Sequence, residues 1–202
     1  MMQLGVIVGA TFILGSVMQA ETQPVAVSRQ MMDEAVIETV LVDVLTSSED
    51  EPKHIRRSQE QSEELIFDNE CDNREFMNAG AIRSAKEKWE SAKLADPAQV
   101  REAGENVLDR LKRNELYAPF KPQDNRIKIW NEFFASTQPS YLKSLRPIRV
   151  GPPGYADDNR LAVVILVFPG STGMHAGRSA YLLRLDGKKW HVIARYITFF
   201  AY

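Results

Sequence analysis

The stretch SAYLLRLDGKKWHVIARYITFF, residues 179–200, constrains the fold more than any other part of the chain. Asp186-Gly187 is a tight-hairpin dipeptide, because glycine accepts the positive φ that a two-residue turn needs. On either side lie runs rich in β-branched and aromatic residues, which suit a pleated, half-buried surface. The pattern predicts an antiparallel pair, Ala180–Leu185 with Lys189–Phe200. Strict alternation puts Trp190, Val192, Ala194, Tyr196 and Thr198 on one face of the second strand, and His191, Ile193, Arg195 and Ile197 on the other.

An isolated hairpin is marginal in water, so other elements must cover this one. Upstream, GPPGYADDNRLAVVILVFPG spans residues 151–170, and every position from Leu161 to Phe168 is apolar. Such a strand needs cover on both faces. The Gly, Pro and Asp-Asp-Asn positions before it read as two turns. Pro147, Ile148 and Val150 suggest an edge strand, where proline costs no ladder bond. Leu65 to Phe67 offer a further short strand.

The N-terminal half has helical periodicity instead. In DEAVIETVLVDVLT, Val36, Ile37, Val40, Leu41, Val44 and Leu45 recur at helical spacing, with Asp33 as the expected N-cap. Ile82, Ala85, Trp89 and Ala92 form a second stripe. Asp96-Pro97 opens a third helix, since Asp caps and Pro is pre-shaped for the first turn. Val100, Val107, Leu108 and Leu111 make its apolar face. The segment IKIWNEFF has helical spacing at Ile127, Trp130, Phe133 and Phe134 but is also compatible with a strand. Helices first and strands afterwards give an α+β class, with the helices expected on one face of an antiparallel meander.

Residues Met1 to Ala20 carry an apolar run from Leu4 to about Met18. That is short for a membrane span of ~20 residues and fits the h-region of a secretory signal. There is no Lys or Arg before it, and Met18 fits poorly at the minus-three position, so a retained anchor is the alternative and a buried core helix the third choice. The expected organisation is a signal over 1–20, a flexible tether over 21–32 and a single α+β domain over 33–202 of the 202 residues. The mature protein is then exported, periplasmic or extracellular, and free of the membrane. Cys71 is the one cysteine, so no internal disulfide can form and the core must hold the fold. Its neighbours Asp68, Glu70 and Asp72 disfavour a thiolate. With 25 basic and 27 acidic residues, the chain has no net field to draw nucleic acid or an anionic bilayer. The KHIRR run at 53–57 is offset by the acidic residues just before it.

Gly154-Tyr155 with Asp157 and Asp158, Ala162-Val163-Val164, the Gly170–Gly177 segment, Tyr181-Leu182-Leu183, and Gly187 through Trp190 to Val192 make up a longer pattern. It resembles one found in a family of uncharacterised exported bacterial proteins, whose opening helix EAVIETVLVDVLT is also similar to. The hairpin further resembles the closing strands of nuclear-transport-factor-like and cystatin-like folds. These resemblances imply an exported α+β domain and bring no catalytic residues with them.

Candidate chemistry is sparse. His54, His175 and His191 fall in a linker, a loop and a strand, with no metal-ligand spacing. FDNECDN places Asp68, Glu70 and Asp72 at alternate positions but lacks the glycine and bidentate Glu of a calcium loop. Neither a metal nor another cofactor is expected. In GSTGMHAG, residues 170–177, Ser171, Thr172 and His175 could supply a nucleophile and a base. The segment is nevertheless neither a nucleophile elbow nor a phosphate loop. It is expected to be an exposed, mobile connection and the place where a ligand would bind, with Ser171, Thr172 and His175 as binding candidates. The sequence thus points to a non-catalytic module for a small ligand or an envelope protein. Two alternatives stand beside it. One is a small hydrolase- or lyase-type enzyme using His175 or His191 with Asp157; the other is an envelope-anchored structural protein.

Overall fold

The computed structural model describes residues 28–49, 64–68, 80–115, 120–136, 147–168 and 175–201. Residues 1–20, where a signal is expected, and Cys71, His54, Ser171 and Thr172 lie outside the described residues. Helix α1 spans Arg29–Thr46, α2 Gly80–Ser91, α3 Pro97–Lys112 and α4 Trp130–Ser136. The strands are β1 Leu65–Asp68, β2 Ile127–Ile129, β3 Ile148–Val150, β4 Gly154–Tyr155, β5 Leu161–Phe168, β6 His175–Asp186 and β7 Lys189–Ala201. The class is α+β, helices leading and strands following. Among the described residues no helix is long and apolar enough to cross a membrane.

Local chemistry accounts for the element ends. Ser28, not Asp33, caps α1, its hydroxyl accepting from the Met31 amide. The helix therefore starts inside the stretch expected to be a tether, and Asp33 is left within it. Asp96 caps α3 by accepting from the Ala98 amide, with Pro97 in the first turn. IKIWNEFF divides between the two options, β2 passing directly into α4. Ala92 lies just past the end of α2 and is exposed, unlike the rest of its expected stripe.

The strands form one seven-stranded sheet in the order β2-β1-β3-β5-β6-β7, with β4 paired to β5 beside β3. β1 runs parallel to β2 and β3, and the remaining pairs are antiparallel. β3 is thus interior rather than an edge, and Pro147 does no harm because the strand begins after it. The β6–β7 hairpin closes on Asp186↔Lys189, and Gly187 takes φ +63° at the first turn position.

The eight apolar residues of β5 alternate between two cores. Ala162, Val164, Leu166 and Phe168 pack with Val36, Ile37, Val40 and Leu41 of α1. Leu161, Val163 and Ile165 pack with Ile82 and Trp89 of α2 and Val100 and Val107 of α3. The helices therefore take both faces of the sheet, as a strand apolar on both sides demands. A bulge corrects the expected alternation on β7. Leu182 pairs with Ala194 but Leu183 with Val192, leaving Ile193 as the extra residue. Trp190 and Val192 consequently join the α1 side, while Ile193, Ala194 and Tyr196 join the α2–α3 side.

Two glycines are steric necessities. A Cβ on Gly154 would overlap the Ala103 carbonyl and the Val107 backbone, so its absence lets α3 lie directly on β4. A Cβ on Gly177 would run into the Phe168 ring, its cross-strand partner. Gly177, with His175 and Ala176, belongs to β6, so the segment expected to be a loop is strand from His175 onward.

Candidate functional site

Two charged residues of α1 sit on its apolar side, and each recruits an arginine. Asp33 follows the helical repeat three and four residues before Val36 and Ile37. Arg110 of α3 meets it with both terminal nitrogens, Nη1 to Oδ1 at 3.0 Å and Nη2 to Oδ2 at 2.7 Å. Nη1 also donates to the Pro153 carbonyl at 2.7 Å, and the Tyr155 hydroxyl donates to Asp33 Oδ1 at 2.9 Å. Asp33 and Arg110 side chains are only 3% and 8% exposed, so the pair has lost most of its water. Burial, and then the charge of Asp33, push the Tyr155 phenol well above the ordinary tyrosine range; the Arg29 and Arg110 cations oppose this more weakly. Arg29 lies 4.2 Å over the Tyr155 ring, whose centroid is 5.9 Å from that of Trp190.

Further along the same helix, Asp43 binds Arg195 of β7 through a two-nitrogen fork, with Nε to Oδ2 at 2.7 Å. Arg195 Nη1 reaches Glu49 at 2.6 Å. Burial opposes the Arg195 charge, but the bonds to Asp43 and the nearby acidic groups outweigh it and hold the guanidinium above its usual range. These two clamps tie α1 to the opposite helical layer and to the last strand. They are geometrically closed, each acid spending both oxygens on an arginine. Sequence reading missed both, although the signal was there: an acid on an otherwise apolar helical stripe implies a buried partner of opposite sign.

Elsewhere, described residues line a groove of about 600 Å³ at the β2 edge of the sheet. Lys121, Lys128, Glu64 and Glu132 give it both signs of charge, and Phe133 and Ile127 add apolar surface. Its wall is fixed from below. Glu38 of α1 accepts from the Gln123 and Asp124 amides at 2.6 and 3.3 Å. Asp124 accepts from the Arg126 amide and guanidinium, which lower its carboxyl to about 2. The Arg126 carbonyl then accepts from the Leu65 amide at 2.8 Å, joining this turn to β1.

A second, smaller concavity of about 230 Å³ lies by the β4–β5 turn, lined by Gln99, Asp158, Arg160 and Arg184 among others. Next to it Asp157 hydrogen-bonds Glu102, which raises the Glu102 carboxyl above its ordinary value. This is the carboxyl that Asp157 engages. His191 is exposed on β7 beside Arg184, and no hydrogen bond joins it to Asp157. His175 starts β6 opposite Ala201, whereas Leu161, four residues after Asp157, pairs with Arg184. That is nine residues further along β6, roughly 30 Å at ~3.3 Å per residue, so His175 and Asp157 do not share a site. Among the described residues no three His, Cys, Asp or Glu side chains converge as metal ligands would. Compared with models of known protein families, with curated proteins and with solved structures, the chain finds no match.

Proposed function

We propose that this chain is an exported α+β domain that binds a polar ligand or an extended protein segment in the groove at β2, without chemistry of its own. The observation that carries the reading is the lining of that groove. Two lysines and two glutamates surround a small apolar patch on a braced wall, the pattern of a site that orients a partner by charge and holds it by contact. The deeply buried acid–arginine pair supports it from the other side, since its groups are spent on one another and on the backbone. Export rests on the leader-like residues 1–20, and the C-terminal pattern resembling exported bacterial proteins agrees with it.

Short charged peptides and cell-wall fragments, titrated into ¹⁵N-labelled mature protein, are expected to move the amide signals of residues 121–136. Lys128→Glu should abolish the shifts. Shifts confined to another surface, or consumption of a panel member, would overturn the reading. Protein recovered from an envelope extract should have an intact mass beginning at or near Glu21. A second reading, a small hydrolase- or lyase-type enzyme, draws on one observation, the Asp157–Glu102 carboxyl pair, in which the hydrogen bond from Asp157 raises the Glu102 carboxyl above its ordinary value. Turnover lost on Asp157→Asn would favour it.

A further inference from the structure

The two edges of the sheet are built differently. The β2 edge is three residues long with a lysine at its centre, a short charged end that resists strand addition. The β7 edge is thirteen residues long and contains no proline or glycine. Among the described residues no strand lies beyond it. Its three basic positions, Lys189, His191 and Arg195, all lie in its first half, and Arg195 is already bound by Asp43 and Glu49. From Tyr196 to Ala201 the sequence is YITFFA, uncharged and made largely of β-branched and aromatic residues. Val192, Ile193, Ala194 and Ile197 are only half-buried, although the helical layers reach β7 from both faces. Among the described residues, they have no strand on their outer side.

We infer that the outer edge of β7, beyond its bulge, pairs antiparallel with the same segment of a second copy of this chain. Charge placement selects the occupant and the direction. A parallel copy would set Lys189 and His191 beside themselves, and like charges directly opposite are destabilising. An antiparallel copy centred near Thr198 sets the uncharged second half against itself and keeps the basic first halves at opposite ends. The bulge at Ile193 interrupts the edge pattern, which confines regular pairing to residues 194–201. The two sheets then become one continuous sheet about a two-fold axis, the commonest symmetry for a soluble pair.

The test uses mature full-length protein in sedimentation velocity over a concentration series, together with amide hydrogen exchange. A concentration-dependent dimer is expected, with protection appearing at alternate amides of Ala194–Ala201 as it forms. Thr198→Glu sets an acid opposite Arg178 within one protomer but places two acids near each other across the axis. It should weaken dimerisation about tenfold or more, while the uncharged Thr198→Gln stays close to wild type. A melting temperature equal for the two variants separates this from misfolding. A monomer at about 100 μM, well above the micromolar range of modest interfaces, would overturn the proposal. So would a dimer whose 194–201 amides stay unprotected, or protection that appears only when a different protein is added.

Discussion

Asp33 and Asp43 stand ten residues apart on α1, about 15 Å along its axis, and each holds an arginine in a two-pronged grip. Their surroundings separate them. The Asp33–Arg110 pair links helices that lie on opposite faces of the sheet, at the short β4 strand, and Tyr155 and the Pro153 carbonyl add a hydrogen bond to each partner. Asp43–Arg195 links α1 to the edge strand and opens onto Glu49, whose side chain is 64% exposed. The same chemistry thus serves two ends. Where water is excluded, losing one partner strands a charge, so the pair makes the fold depend on α1 being docked. Where water can enter, the pair mainly fixes how the helix sits over β7.

The sharpest way to break this comparison is Asp33→Ala or Arg110→Ala. Each leaves a buried charge without its partner and should cost about 3–5 kcal/mol, measured by urea unfolding. Asp33→Leu combined with Arg110→Met removes both charges and should recover much of that loss, because a buried pair often exchanges for apolar packing at little cost. Equal losses in the single and double variants would mean that the site tolerates no reshaping and that packing, not charge, is decisive.

Tyr155→Phe probes the third member of the buried network. It deletes one donor to a carboxylate that keeps its arginine, for an expected loss of about 1.5–3 kcal/mol near neutral pH. The sign with pH is fixed by the raised phenol. A group whose folded pKa lies above its unfolded value contributes fully below that unfolded value, and the contribution fades as pH climbs through it toward the folded one. Wild-type stability should therefore fall above about pH 10, the ordinary tyrosine value, and Tyr155→Phe should fall less steeply. Parallel curves would show that Tyr155 ionises in the unfolded chain no differently from the native one.

Arg195→Ala should cost less, about 1 kcal/mol, since Asp43 can turn to water once the guanidinium is gone. The loss should shrink further in high salt, which screens partly exposed pairs. Arg195→Lys keeps the charge but not the planar fork and should fall between the two. A cost matching Arg110→Ala would erase the distinction between the clamps.

Much of the architecture could be read from local pattern. Leu161–Phe168, the Asp96-Pro97 helix start and the Asp186-Gly187 turn each carry their own signal within a few residues. What stayed hidden depends on partners distant in sequence. β3 became interior because β1, some eighty residues earlier, pairs with Ile148 and Arg149. The bulge at Ile193 reversed the facing of β7 through a single inserted residue, which leaves no mark in composition. Asp33 suggested a cap because an acid before an apolar run has that role more often than any other, and only Arg110, 77 residues away, reveals the alternative. The groove drew no attention at the sequence level because Glu64 lies far before Lys121, Lys128 and Glu132 in the chain, and only the β1–β2 pairing brings them together.

The smallest expected effects belong to two half-buried carboxyl groups that shift in opposite directions. Asp124 is held at about 2 by the Arg126 side chain and amide. Its contribution is present above the ordinary aspartate value and disappears as pH falls toward 2. Glu102 is raised, chiefly by its hydrogen bond with Asp157. Its contribution is present at low pH and is lost as pH rises through that raised value. Carboxyl carbon chemical shifts followed over pH should resolve both titrations. Arg126→Ala should return Asp124 to the ordinary range, and Asp157→Ala should bring Glu102 down. Neither change should move the melting temperature measurably at pH 7, because solvent already screens both sites. A clear fall in melting temperature with Arg126→Ala would show that the turn bracing the groove carries stability as well as shape, and would place it with the buried clamp.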